Sequence, residues 1–337
     1  MKHLFASITT LFLLNSCVHI DEPSSQNQAQ MVIALQKNAI TTMATTQLPN
    51  ANEDANISNL ILYIFDSQSQ EIELIYNATD SEINIGQIVV NISTGLKDFY
   101  IVANYDVKDT SRLMAVSEYS DLRYQSTDLS LLKEGEFIMR GKSLDFMVEQ
   151  NKSQRVDIEL SRAAARIVIK DMECFFSCDR DQDKLYIDSI YLLNASALSS
   201  YTEPSYMFSS GKTYDRVPST IFNFQNYDCA KYIAIIDNCT TYAEETKYGS
   251  HYYTYQNFNS DEPTLLVITG YYPSPPERVY YTFAINNNGV LEGNYSYEFY
   301  IEFYGGGSST PETELTGAKC ELRVSPWHEY DSSITFD

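Results

Sequence analysis

The chain is poor in basic residues: Lys and Arg number 23 against 45 Asp and Glu, for a formal net charge of −22. Such a surface repels phosphate backbones and anionic bilayers, and no basic cluster offsets it, so nucleic acid is excluded as a partner. Histidine is scarce as well. His3, His19, His251 and His328 are the four, and none stands beside a recognisable nucleophile motif. This excludes the familiar Ser–His–acid and Cys–His arrangements. Only 13 Gly and 10 Pro occur in 337 residues while 44% are hydrophobic, so the chain can bury real cores. The apolar run at residues 4–14 is about eleven long, short of the roughly 20 a bilayer helix needs.

Cysteine is nearly missing from the first half, where Cys17 stands alone. Cys174, Cys178, Cys229, Cys239 and Cys320 follow. Their odd number leaves at least one thiol outside intrachain pairs, and their spacing is not that of a zinc site. The acidic turn with Asp179, Asp181 and Asp183 begins like a calcium loop. Lys184 then replaces the turn glycine and Ile190 the closing glutamate, so it reads as a solvated turn. No metal, cofactor or catalytic residue is expected, and the chain reads as a non-enzyme.

What is present begins with "LFLLNSC" at residues 11–17. A basic start at Lys2 and His3, a short greasy run and a polar sequel make a secretory signal, not an anchor helix. Leu14-Asn15-Ser16-Cys17 resembles a bacterial lipobox, with Cys17 as the lipidated first residue of the mature chain. Each buried CH2 contributes about 0.8 kcal/mol, so several acyl chains tether a domain firmly.

Tyrosine (27) and Phe (16) are abundant, which favours strands. "MVIAL" at Met31, Val32, Ile33, Ala34 and Leu35 reads as a short strand buried on both faces, and a polar loop follows it. From Ile57 alternating runs accumulate. "LILYIFD" and "EIELIYN" read as a hairpin, "INIGQIVVNIS" as a strand pair or a bulged strand, and "KDFYIVANYD" as a further strand. In "SRLMAVSEYSDLRYQ", Leu113, Val116, Tyr119 and Leu122 would share one helical face. After "QRVDIELSR" the second half repeats the pattern of short strands and turns. "HYYTYQNF", a Tyr-rich stretch, reads as strand and loop packing, with stacking on sugars as the alternative. We read an all-β chain of two tandem β-sandwich domains: 1–16 signal peptide, 17–54 leader with a strand and loop, 55–162 and 163–337 the sandwiches. Arg162 and Arg166 lie at the joint, poised either to bridge it or to face solvent. Lys37 is the first Lys or Arg after Lys2, and Lys97 is the next.

Several stretches resemble the Bacteroidales FimA-like fimbrillins, subunits of type V pili. They are "ISNLILYIFDSQ", "GLKDFYIVANYD", "GEFIMRGKS", "IELSRAAARIVI", "EPTLLVITGYY", "RVYYTFAIN", "NYSYEFYIEFYGGGSSTPE" and "CELRVSPWHEYDSSITF", in the family's order. The resemblance implies two transthyretin-like β-sandwiches and export as an outer-membrane lipoprotein. It implies cleavage by a surface trypsin-like protease, here between Lys37 and Asn38, where the family usually has Arg. The vacated groove would accept a strand from the next subunit. The donor residues implied near the C-terminus are Leu322, Val324, Trp327, Ile334 and Phe336. Five apolar side chains in "MVIAL" would represent about 10 kcal/mol gross at 1.5–3 kcal/mol for the large ones. A head-to-tail contact of this kind does not close and builds a filament. The expected function is a structural subunit of an extracellular fimbria. Its alternatives are an accessory tip or anchor subunit, or a surface glycan-binding lipoprotein.

Overall fold

The structure is a computed structural model. It describes residues 28–37, 56–128, 131–132, 135–174, 185–196, 198–202, 213–214, 234–236, 251–273, 276–285, 289–310 and 318–327. Cys17, Asn38, the Asp179–Asp183 turn, Cys178, Cys229, Cys239, Ile334 and Phe336 lie outside these residues.

Strands dominate, as the alternating pattern predicts. The first half carries β1 (Gln28–Lys37), β2 (Leu60–Asp66), β3 (Ile72–Asn77), β4 (Gln87–Ser93), β5 (Gly95–Ala103), β6 (Ser126–Asp128), β7 (Met139–Val148) and β8 (Ser153–Arg162). The second carries β9 (Ala164–Cys174), β10 (Leu185–Leu193), β11 (Ala195–Ser196), β12 (Leu198–Ser200), β13 (Thr213–Tyr214), β14 (Ala234–Ile236), β15 (His251–Tyr255), β16 (Leu265–Pro273), β17 (Pro276–Ala284), β18 (Tyr295–Phe303) and β19 (Ala318–Pro326). Three short helices, α1 (Asp80–Ile85), α2 (Thr110–Leu113) and α3 (Tyr119–Arg123), sit between strands of the first half.

Seven strands join in the order β3-β2-β5-β7-β8-β1-β4. The ribbon folds on itself where β8 changes partner. Its early residues pair with β1, and only Ser161 and Arg162 pair with β7. Two layers result, β3-β2-β5-β7 and β8-β1-β4. Between them lies one core of Leu60, Leu62, Ile64, Phe99, Ile101, Ile88, Val90, Val156, Ile158, Met31 and Ile33. Alternate residues of each strand face inward, as the two-residue period of a strand requires. The second sandwich packs β14-β10-β16-β17 against β13-β11-β15-β9-β18-β19. Its core, with Ile167, Ile187, Leu192, Ile268, Tyr281, Phe299 and Ile301, is continuous with the outer face of β2 and β5 through Tyr63, Phe65 and Tyr100. The β6–β12 pair, Leu198 to Ser200 against Ser126 to Asp128, ties the two halves directly.

Some local readings change. The "LILYIFD"–"EIELIYN" hairpin is present as β2–β3. In "INIGQIVVNIS", however, the first residues end helix α1, which Thr79 and Glu82 start with a reciprocal capping box and Gly86 ends at φ 74. The helix expected over 111–125 is two pieces, broken where Ser117 and Glu118 donate backbone N–H bonds to Asp121. Leu113, Val116 and Leu122 still reach one core, with Tyr119 packed against it. "HYYTY" is strand β15, in line with the packing reading, and Tyr252 and Tyr255 are fully buried. Those two rings present no sugar-stacking platform.

Candidate functional site

Strand β1 occupies a slot inside the first sandwich. It runs antiparallel to β4 from Gln28–Ser93 to Ala34–Gln87, and parallel to β8 from Gln30–Ser153 to Lys37–Leu160. The "MVIAL" stretch is therefore flanked on both sides, and its loss would open two ladder edges. Burial within it is one-sided. Met31 and Ile33 are 0% exposed, with Ala29 beside them and Leu35 half-buried against the same core. Val32 faces outward, half-exposed, while Ala34 on that face is covered. The two-faced burial expected from the apolar run gives way to alternation because the slot lies in one layer of a sandwich. Two large side chains rather than five carry most of the burial, about 3–6 kcal/mol gross.

Further contacts brace both ends of the slot. The Leu35 N–H donates to the carbonyl of Gly86 at 2.9 Å, so the end of α1 closes one mouth of the slot. Gly86 is left-handed there, a conformation few other residues adopt without strain. At the far end of β4 the Ser93 N–H donates to Glu73 Oε1 of β3 at 2.5 Å, crossing to the opposite layer. Glu73 also holds buried Lys97 at 2.8 Å, and Asp66 holds it at 3.2 Å. Burial drives the Lys97 ammonium down, but the hydrogen bonds it donates to Glu73 and Asp66 outweigh this and its pKa is raised. Outside the slot, Arg155 hydrogen-bonds Asp157 and holds its carboxyl below the ordinary value. These two residues oppose Val32 and Ala34 across the ladder. Lys37 is the last residue of β1, and its backbone opposes Leu160.

The other sequence-derived positions lie elsewhere. Leu322 and Val324 are on β19, an edge strand paired along its whole length with β18. Leu322 packs partly on the core, and Val324 is 45% exposed. Trp327 differs from both: it is 1% exposed, at the joint between the sandwiches. Its ring stacks on Tyr253 at 5.3 Å and meets Phe137 edge-on at 4.9 Å. Arg162 and Arg166, which the sequence left between bridging and exposure, are buried with their guanidiniums over this ring at 4.8 and 5.3 Å. The Trp327 N–H donates to the Asn294 carbonyl at 2.8 Å, and Arg162 Nη1 donates to the Trp327 carbonyl at 3.0 Å. Asn294, at φ 64, also donates its N–H to Ala164 at 2.7 Å. Gly293 beside it leaves no room for a side chain, since a Cβ would sit 2.7 Å from the Ala163 carbonyl. Sequence reading missed this anchor. Its signal was the single Trp of the chain.

Cys320 is a half-buried free thiol on β19, and burial pushes its pKa up to about 12. Among the described residues no group of His, Cys, Asp and Glu could hold a metal ion. No described helix is long and apolar enough to cross a membrane.

No protein-family model matches the chain, and no curated protein does. Solved structures do match. A fimbrilin of Porphyromonas gingivalis W83 is 14% identical with a TM-score of 0.62, over 91% of this chain and 100% of that one. A candidate cell adhesion protein of Parabacteroides distasonis is 17% identical with a TM-score of 0.62, over 90% and 98%. A fimbrial assembly protein from the same organism is 14% identical with a TM-score of 0.51, over 89% and 96%. The resemblance carried by the sequence motifs is therefore matched at the level of fold, nearly end to end.

Proposed function

We propose that the chain is a structural subunit of a cell-surface fimbria, not an enzyme, and that β1 is a provisional strand exchanged during assembly. The observation that carries this reading is the position of β1. A strand in mid-sheet, holding two fully buried large side chains, ends on the one Lys or Arg between Lys2 and Lys97. A cut after Lys37 frees the strand from the rest of the chain. Its departure leaves an apolar trough between two ladder edges, a template for strand addition. With β1 gone, β4 keeps its core residues Ile88, Val90 and Ile92 and the Ser93 N–H bond to Glu73 of the opposite layer.

In this reading residues 1–16 direct export, and Cys17 carries lipid that holds the precursor at the outer membrane. A surface trypsin-like protease cleaves between Lys37 and Asn38. Neighbouring copies then complement one another through a C-terminal segment, and the product is an extracellular fimbria of two-sandwich subunits, 55–162 and 163–337. An accessory subunit at the tip or base is the second reading, favoured by the fold match to a fimbrial assembly protein. N-terminal sequencing of protein sheared from the cell surface tests both. A start at Asn38 is the expected result. Peptides containing acylated Cys17 within mature fibres would replace the shaft reading with an anchor, and a start at neither position would reject the maturation step.

A further inference from the structure

Among the sheet edges, β19 is long, regular and open, and the others are not all three. β3 is closed at one end, where the Ile72 N–H donates to the Ser117 carbonyl and the Tyr119 N–H to the Gln70 carbonyl. β17 exchanges two hydrogen bonds with Ser308 at Tyr280. β13 and β14 are only 2 and 3 residues long. β4 carries no charged residue that could select a partner or a register. β19 runs 9 residues against β18 without a bulge, and no described strand pairs with its other side. Such an edge is a template for another strand. We propose that β19 pairs with β19 of a second copy, antiparallel across a two-fold axis at Leu322, as a side-by-side contact between subunits. This contact does not depend on the departure of β1.

The Trp327 N–H bond to the Asn294 carbonyl fixes which backbone groups are open. In an antiparallel ladder alternate residues bond to the same side. Lys319, Glu321, Arg323 and Ser325 therefore bond to β18, while Ala318, Cys320, Leu322 and Val324 turn their N–H and C=O groups outward. The side chains of the edge divide as well. Cys320 and Leu322 pack only partly on the core, and Val324, on the same face by alternation, is 45% exposed. They form an apolar rim that a second copy would cover. On the opposite face Lys319, Glu321 and Arg323 alternate in sign and are exposed. Arg323 is held in place there, donating to Glu321 at 2.7 Å with its guanidinium over Tyr300 at 4.3 Å.

Charge complementarity selects the second copy and the register. With Leu322 on the axis, Arg323 of each copy stands opposite Glu321 of the other, at the non-hydrogen-bonded sites where side chains come closest. Leu322 meets its own twin, Cys320 meets Val324, and all 9 residues of the strand are paired. Moving the axis to Glu321 would set Glu321 against itself and Lys319 against Arg323, and like charges directly opposite disfavour pairing. Moving it to Cys320 sets Lys319 against Glu321, but pairs only residues 318–322 of the strand. The contact uses the same patch on both copies and closes on itself, unlike the head-to-tail contact of strand exchange.

The test uses the full chain with Lys37→Ala, which withholds the cut and with it the heat-sensitive ladder of strand-exchanged oligomers, so that side-by-side association is read alone. Sedimentation equilibrium is expected to show a reversible dimer. Glu321→Arg sets like charges opposite one another and should weaken that dimer about tenfold or more. Glu321→Arg together with Arg323→Glu restores opposite charges and should restore the dimer. For the register, Val324→Cys places a thiol opposite Cys320 of the second copy. Mild oxidation is then expected to give a covalent dimer whose linked peptides contain positions 320 and 324. Within one strand these positions are about 13 Å apart, too far for a disulfide, so the link can form only between copies. A monomer at every concentration, or a dimer indifferent to both charge variants, would overturn the proposal. A link between two Cys320 residues in protein without Val324→Cys, or no link between positions 320 and 324 with it, would overturn the register. Strand exchange is read separately, from the ladder formed by the parent after cleavage.

Discussion

Strands β1 and β19 invert the usual relation between position in a sheet and strength of attachment. β1 lies in mid-sheet with a partner on each side, yet only Met31 and Ile33 are large and fully buried along it. β19 lies on an edge with Val324 and its charged neighbours in solvent, yet it runs into Trp327, which is only 1% exposed at the joint. A strand held by ladders on both sides and modest burial can be replaced by another strand, because any backbone supplies the same hydrogen bonds. A strand that ends in a specific aromatic and guanidinium stack cannot be matched so easily. Sheet centrality alone does not tell which strand is permanent.

The strongest way to break this comparison is to keep β1 from ever leaving. Lys37→Ala removes the one basic residue at the end of β1 and leaves its buried residues untouched. Complete loss of the oligomer ladder is expected, with thermal unfolding of the monomer unchanged. A full ladder in this variant, read on unheated gels, would show that β1 is as permanent as β19.

Truncation of buried side chains separates the two strands next. Trp327→Ala should cost about 3–5 kcal/mol and Ile33→Ala about 2–5 kcal/mol in the uncut protein, measured by urea denaturation. After cleavage and assembly the two should part. Fibres from Ile33→Ala should melt like the parent, since the altered strand is gone, whereas fibres from Trp327→Ala should stay weakened. Equal weakening of both fibres would mean that β1 remains inside the assembled subunit.

A milder contrast lies in the cores themselves. The core beneath β1 contains no fully buried tyrosine. The core that runs through the joint contains Tyr63, Tyr201, Tyr255 and Tyr297. Burial raises the phenols of the first three above their ordinary value and pushes that of Tyr297 up to about 12. For a group with a raised folded pKa, the stability it contributes is present below the unfolded value, about 10 for a phenol, and is lost as pH rises through the folded one. Alkali should therefore loosen the joint core first, between about pH 10 and 12, while the β1 core persists. Near-UV circular dichroism recorded with tyrosinate absorbance checks this. Ionisation of every tyrosine near pH 10 with an unchanged spectrum would contradict it.

The strands were legible because alternation of apolar and polar residues is a local signal, and "LILYIFD", "EIELIYN" and "YSYEFYIEF" carry it plainly. The capping box at Thr79 and Glu82 was equally local, but it was masked by the apolar residues of "INIG", which suit a strand as well as a short helix. "MVIAL" could be recognised as a buried strand, not as one flanked on both sides, because pairing with β4 and β8 joins residues far apart in the chain. The Trp327 anchor was least legible. It depends on Phe137, Arg162, Arg166, Tyr253 and Asn294 converging, and no spacing within "SPWHEY" announces that.

The smallest expected effect discriminates most sharply between donor segments. Val324 is on the exposed side of an edge strand, so Val324→Ser should change stability by no more than about 0.5 kcal/mol. If β19 remains in its own subunit, that substitution should also leave the ladder intact. If Val324 instead filled a pocket in the neighbour, the serine would bury a hydroxyl in place of methyl groups, and assembly would weaken while the monomer stayed sound. Ile334→Ser supplies the matched contrast: it should leave the monomer as stable as the parent and abolish the ladder. Ladders scored side by side for the two variants, against urea midpoints for each monomer, assign the donated residues without any need to see the fibre. A ladder lost in Val324→Ser and kept in Ile334→Ser would move the donor upstream of Trp327, and β19 would then have to be the strand that travels.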